Sequence, residues 1–441
     1  MRVSRRVLVV LALGGWLASA TAQAAEPLKP GATLGPDTAA SQQGLLPAEI
    51  LSHYQKGEYV NPVMSWPADK YNWPADFKAG STANEGKYVV GELGEILEKA
   101  SGKQPGFVFG LPFPTVDQAD PQAGVKVVWN MFYSFWYWGN LHAESQVNWI
   151  GPKALERSTD EDVRFMYYDG VPADQRIENP QNFLSQSLVV VTGPADLNGT
   201  AALTWRYRDP SKRDSAWSYV PALRRVRAVS PSNRSDGFLG SDMSQDDGPF
   251  FDGKPEDFTW TMKGKIDEYH VVDPGNLEGK AKNLWVAPGH WRADWPDLKY
   301  IGYMDPNWKG VAWAPIAAAV AVRPAWVVEG VPRDRYYLFG KLELHIDAVG
   351  YAGAWNRKYG WKDELLNTMQ VMSWNPVQEK KPDGTPAWRQ GSTQAFQCAE
   401  NVKASRATVA GIRSSNTAVF DGAVKFDPAI FDMDALARSG K

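Results

Sequence analysis

Between Trp205 and Trp260 the chain alternates in a way that a half-buried strand requires. Trp205 and Tyr207 are separated by one polar residue, and so are Trp217 and Tyr219. Asp209 to Ser215, with Pro210, supplies the turn between the two runs. Period-2 alternation on both sides of such a turn predicts a β-hairpin with Trp and Tyr on one face. The same period recurs at Val163, Phe165 and Tyr167, against Arg164, Met166 and Tyr168. Leu188 to Val191 is a short β-rich run, and Asn198-Gly199 marks a tight turn into Ala202 to Tyr207. Phe258 to Trp260, Tyr269 to Val272, Pro324 to Gly330 and Tyr336 to Ile346 extend the series, with Leu342, Leu344 and Ile346 on one face.

Helical periodicity is confined to a few places. In Val125 to Trp138 the polar residues Lys126, Asn130 and Ser134 are spaced by four, and apolar residues fill the remaining faces. That spacing predicts a helix apolar around most of its girth, which must be buried. Val90 to Ala100, Pro47 to Tyr54 and Asp432 to Arg438 also read as helices, and Trp66 to Phe77 as an extended segment. Gln378 to Pro386 reads as a loop. Strands are not regularly separated by long helices, which argues against a parallel α/β fold. The expected fold is mainly β (α+β), one large antiparallel sheet with a few helices packed on it.

Composition sharpens this picture in one respect. Tryptophan occurs 20 times in 441 residues. Such a load implies a very large aromatic core or an apolar surface for a ligand. The formal net charge of -3 implies no polyanionic partner, so no nucleic acid is expected. Arg2, Arg5 and Arg6, the apolar run Val7 to Ala18, and Ala22-Gln23-Ala24 together read as a secretory signal. Residues 1–24 are therefore expected to be removed, leaving 25–441 as a single large domain in the periplasm, with 25–85 an irregular arm. Ser4-Arg5-Arg6 also half-resembles a twin-arginine signal, so the export route stays open.

Candidate chemistry is sparse. His53, His142, His270, His290 and His345 are scattered, and His345-Ile-Asp347 offers two potential ligands where zinc needs three or four. No metal site, cofactor or catalytic residue is expected. Cys398, the single cysteine, carries no local signature of a nucleophile. The acidic loop Asp236 to Asp252 lacks the spacing of a calcium loop. Asp246 and Asp247 are expected to meet the basic cluster Arg224, Arg225 and Arg227, which alternatively suits an anionic head group or a partner. Glu156, Asp160, Glu161 and Asp162 leave open a hydrolase with two opposed carboxylates.

Several of these motifs occur together in one family. Trp217-x-Tyr219-x-Pro221-x-x-Arg224-Arg225-x-Arg227, then Asp246-Asp247, Phe251-x-Gly253, Phe258-x-Trp260 and Gly264-Lys265 resemble a proteobacterial secreted family of unknown function described as outer-membrane lipoprotein-sorting-like. Pro112-Phe113-Pro114 before Trp129-Asn130, and Trp326 to Gly330 before Tyr336-Tyr337 and Ile346-Asp347, extend the resemblance over most of the chain. The resemblance implies an incomplete, strongly curved antiparallel barrel like LolA and LolB, with helices in its concave face. It further implies a carrier for a lipid, a lipoprotein acyl chain or another hydrophobic molecule. It also suggests an inner-membrane transporter of the resistance-nodulation-division class and an outer-membrane protein as partners. A docking subunit of a transporter, without a ligand, is the competing non-enzymatic reading. On the carrier reading the expected ligand contacts are Trp129, Phe132, Phe135 and Trp136 from the helix and Trp205, Trp217, Tyr219 and Trp260 from the sheet, with Arg224, Arg225, Arg227, Asp246 and Asp247 toward a head group or partner.

Overall fold

The computed structural model describes residues 25–67, 73–277, 282–287, 290–294, 301–374, 377–378, 382–384, 393–412 and 419–439. The signal reading at residues 1–24 and most of the loop expected at 378–386 lie outside the described residues. Among the described residues no helix is long and apolar enough to cross a membrane.

Among the described residues, three short strands, Lys282–Ala287, His290–Asp294 and Val377–Gln378, attach through Phe420–Gly422 to one large antiparallel sheet of fourteen strands that is not closed into a barrel. In chain order the fourteen are β1 (Leu141–Ile150), β2 (Leu155–Tyr167), β3 (Phe183–Gly193), β4 (Ala201–Tyr207), β5 (Ser215–Val220), β6 (Arg225–Val229), β7 (Phe258–Val272), β8 (Ala319–Pro332), β9 (Lys341–Asp347), β10 (Gly353–Tyr359), β11 (Leu365–Trp374), β12 (Thr393–Asn401), β13 (Arg406–Ile412) and β14 (Phe420–Gly422). Hairpin neighbours lead from β6 back to β1. There β13 pairs with β1, and the order continues β12, β11, β10, β9, β8, β7. The short β14 joins the first residues of β1. The edge strands β6 and β7 do not pair with each other. The sheet nevertheless curls enough for Val272 at the end of β7 to form a parallel bridge to Ser373 of β11. Nearly every link is antiparallel and sequentially local, as closely spaced strands with short turns dictate.

The Trp205 and Trp217 hairpin forms as its alternation predicts, with Leu203 opposite Trp217 and Ala201 opposite Tyr219. Among the described residues the longer helices are α1 (Ala48–Gln55), α2 (Ala75–Ala83), α3 (Ala123–Trp136) and α4 (Met433–Ser439), besides the single turn Pro274–Leu277. Helix α3 is buried along almost its whole length. Its polar stripe is internally satisfied: Asn130 donates to Phe113 O (2.7 Å) and accepts from Phe113 N (3.1 Å), and Lys126 pairs with Asp120. Gly139, at φ +79°, then turns the chain into β1, in contact with Gln175, where a Cβ would not fit.

Two local expectations give way to turn chemistry. Val90 to Ala100 is not a helix but part of a hairpin, Tyr88–Val90 with Ile96–Glu98. Gly94 adopts φ +101°, and the Glu95 carboxylate accepts from Leu93 N (2.9 Å), which stabilises the turn over a helix. The N-terminal arm is less irregular than its composition implies. It holds α1, α2 and a short ladder of Thr33–Leu34 with Asn61–Pro62. The segment expected to run extended to Phe77 becomes helical at Ala75.

Candidate functional site

The inner surface of the curved sheet faces α3 and the loop 234–252. Alternation decides which side chains face inward. On β9 the inward set Leu342, Leu344 and Ile346 joins Trp129, Phe132 and Trp136 of α3 in one core. The loop is fixed to the same face by side-chain hydrogen bonds. Gln397 of β12 accepts from Phe250 N (3.0 Å) and donates to Asp247 O (2.8 Å). Asn356 of β10 donates to Phe250 O (3.0 Å). Gly353 lies directly under the Phe250 ring, where any side chain would collide.

Where α3 and the loop stop short of β1 to β4, a cavity of about 250 Å3 remains. Its walls are Leu141, Ala143 and Val147 of β1, Val163 and Phe165 of β2, and Val189 and Ala202 of β3 and β4. Phe135 closes it on the α3 side, and Phe238, Met243 and Pro249 on the loop side. A second void of about 30 Å3 lies behind, lined by Phe132, Phe135, Trp136 and Tyr167. Phe135 and Asp252 border both spaces.

Beneath the loop lies a buried ionic network. Arg206 binds Asp214 (2.7 Å) and Asp252 (2.9 Å). Arg234 binds Asp246 (2.6 Å) and Asp252 (3.3 Å). Tyr337 donates to Asp246 (2.9 Å), and Lys358 pairs with Asp247 (2.6 Å). Burial would raise the Asp214 carboxyl, yet the two guanidinium groups hold it below the ordinary range. These pairs fasten the loop to the sheet.

Of the aromatic residues expected at a ligand, Phe135 lines the larger cavity, and Phe132 and Trp136 the smaller void. Trp129 and Trp260 are core residues whose indoles donate to Gly94 O (2.7 Å) and Pro255 O (2.8 Å). Trp205, Trp217 and Tyr219 lie on the opposite face of β4 and β5 from Ala202. There they pack with Phe431 and Leu436 of the C-terminal segment. The hairpin's aromatic side chains share one face, as their alternation predicts, and α4 with its approach covers that face. Arg224, Arg225 and Arg227 are exposed on the edge strand β6 and its preceding turn. The expected pairing of Asp246 and Asp247 with them does not occur, because the nearer Arg234 and Lys358 take both carboxylates.

Other candidates resolve similarly. His345 binds Glu268 (2.7 Å) and Glu343 (3.2 Å), Asp347 is held by Arg323 (2.7 Å), and His53 bridges Glu58 and Glu400. His142 pairs with Asp162 (2.8 Å). The His290 side chain lies outside the described residues. Cys398 is buried, which pushes its thiol up. In the acidic run, Asp162 points away from the cavity while Glu161 lines it. Glu161 is 6 % exposed, and burial raises its carboxyl to about 7. Extending the alternation of Val163 and Phe165 back by one step would have placed Glu161 on their face.

Residues 55–437 match the model of a protein family of unknown function, DUF1329. The chain belongs to this family. A comparison with curated proteins finds no match. Among solved structures, the chain is similar to a protein from Vibrio parahaemolyticus provisionally described as an outer membrane lipoprotein-sorting protein domain, at 15% identity over 72% of this chain and 100% of that one, with a TM-score of 0.46. A DUF1329 family protein from Desulfovibrio piger is similar at 16% identity, 72% and 100% coverage and a TM-score of 0.45. A LolA superfamily protein from Nitrosomonas europaea follows at 12% identity, 69% and 96% coverage and a TM-score of 0.37.

Proposed function

We propose that this DUF1329 protein is a periplasmic carrier that holds a small apolar molecule between its curved sheet and α3. The observation that carries this reading is the cavity of about 250 Å3 walled by Val, Leu, Ala and Phe side chains from four consecutive strands. A self-filled core would leave only small voids. The volume is near the lower end of the ~300–1,000 Å3 typical of small-molecule sites. Burial of ligand surface at ~25 cal/mol per Å2 supplies affinity without any chemical step. Phe135 is the aromatic contact with the ligand, and Phe132 and Trp136 support it from behind. The signal-like N-terminus is the basis for the periplasmic assignment. The exposed arginines Arg224, Arg225 and Arg227 suit docking to an acidic surface of an envelope transport system.

The test is uptake of diphenylhexatriene, an uncharged apolar fluorophore, with native mass spectrometry of the protein purified from periplasm. Wild type is expected to bind the fluorophore and to carry a reproducible apolar mass. Ala202→Trp, which fills the cavity from β4, is expected to abolish uptake with an unchanged circular dichroism spectrum. Uptake that is insensitive to Ala202→Trp would place the ligand elsewhere and defeat this assignment.

A further inference from the structure

The cavity lining is largely apolar, and among its polar sheet residues, Glu144, Ser145, Glu161, Ser187, Thr204 and Gln397, Glu161 is the nearly fully buried carboxyl. Glu161 sits on β2 between Thr159 and Val163, opposite Ser145 of β1 and Val191 of β3. It is nearly fully buried and borders the cavity. Among the described residues its hydrogen bond is a long one, from Thr159 Oγ1 to Oε1 at 3.3 Å. A carboxyl group buried on an apolar wall costs stability unless a partner compensates it. The other acids at this end of β2 are accounted for. Asp160 accepts from Gln146, and Asp162 meets His142 and Arg164 on the far face.

Resting on the carrier reading, we propose that Glu161 is the specificity-determining residue of the cavity and selects an apolar ligand bearing one uncharged hydroxyl group. The surrounding charges exclude the alternatives. Glu144, Glu161 and Asp252 border the cavity, and Arg234 is the only cation among its described lining residues. That guanidinium is already committed to Asp246 and Asp252. An anionic head, whether a free fatty acid or a phosphate, therefore meets carboxylates and no available cation. A ligand ammonium must lose its hydration, Asp252 is already paired with Arg206 and Arg234, Glu144 is exposed at the surface, and burial favours the neutral form of Glu161, raising its pKa to about 7. A hydroxyl needs no ionised partner. It accepts a hydrogen bond from the protonated carboxyl and donates one to its second oxygen, while the apolar remainder fills the space between Val163, Val189 and Phe135.

The experiment is displacement of diphenylhexatriene at pH 6 by a matched series: 1-decanol, decanoic acid and decylamine. Wild type is expected to prefer decanol over both by about tenfold, the worth of one buried hydrogen bond. Glu161→Leu is expected to weaken decanol about tenfold, whereas the isosteric Glu161→Gln retains most of its affinity. Equal or tighter binding of the acid or the amine would overturn the proposal, as would a Glu161→Leu protein that binds decanol as tightly as wild type. The wild-type series decides the matter even if Glu161→Leu does not fold. Fluorophore uptake blocked by Ala202→Trp, without a decanol preference, would leave the carrier reading standing and remove this one. No uptake by wild type would remove both.

Discussion

Asp214 shows how a single buried side chain can hold two guanidinium groups in place. It lies 2.7 Å from Arg206 and 3.9 Å from Arg234, and all three are nearly inaccessible to solvent. Such a pair adds little against an apolar substitute, but losing one partner strands a buried charge. Asp214→Ala is therefore expected to destabilise the protein by about 3–5 kcal/mol. Urea denaturation followed by tryptophan fluorescence measures this, and a midpoint within error of wild type would refute it. The aromatic residues separate by the same logic. Trp217 packs against the C-terminal segment, so Trp217→Ala is expected to cost about 2 kcal/mol and leave fluorophore affinity unchanged. Phe135→Ala is expected to do the reverse, weakening fluorophore binding severalfold with a smaller stability change, since Phe135 is only partly buried and borders the cavity.

At the scale of elements, the strands and the long buried helix were legible because their patterns are strong. Asn130 and Ser134 of α3 sit on the predicted polar stripe, and Leu342, Leu344 and Ile346 share the predicted face. What alternation cannot reveal is which face of a strand is inner. Trp205, Trp217 and Tyr219 form one face in the sequence and in the fold, but α4 and the turn before it come from 210 residues or more away along the chain, for example Phe431 O of that turn accepting from Trp205 Nε1 (2.8 Å). Ion pairing failed for a related reason. The expected pairing of Arg224, Arg225 and Arg227 with Asp246 and Asp247 gives way because the loop folds onto its own Arg234, and β10 supplies Lys358 to Asp247. An apolar run of the length of Tyr88–Glu98 fits either period, and the positive φ at Gly94 decides for the hairpin.

At the scale of the whole molecule, the N-terminal arm is joined to the sheet by charge. Arg357 of β10 binds Glu49 of α1 through two hydrogen bonds (2.8 and 2.9 Å) and pairs with Glu343 of β9. His53 of α1 reaches Glu400 of β12 (2.9 Å), and His345 sits between Glu343 and Glu268. Burial opposes charge on His345, but the two carboxylates outweigh it and raise its pKa from 6.5 to about 9. Glu343 moves the other way, to about 2: burial opposes this, but His345 and Arg357 prevail. The folded-state pKa of His345 is above its unfolded value. Its contribution is therefore fully present below about pH 6.5 and is lost as pH rises through about 9. The Glu343 contribution is present above about pH 4.5 and is lost as pH falls toward about 2. The contribution of the Glu343 and His345 pair is thus greatest between about pH 5 and 7 and declines on the alkaline side by on the order of a few kcal/mol. His345→Gln removes the titrating group and leaves Glu268 with one fewer partner. This variant is expected to melt several degrees below wild type at pH 6 and to converge toward it by pH 10. Calorimetric melting temperatures across that range give the answer, and parallel curves for the two proteins would show that His345 does not set the alkaline limb.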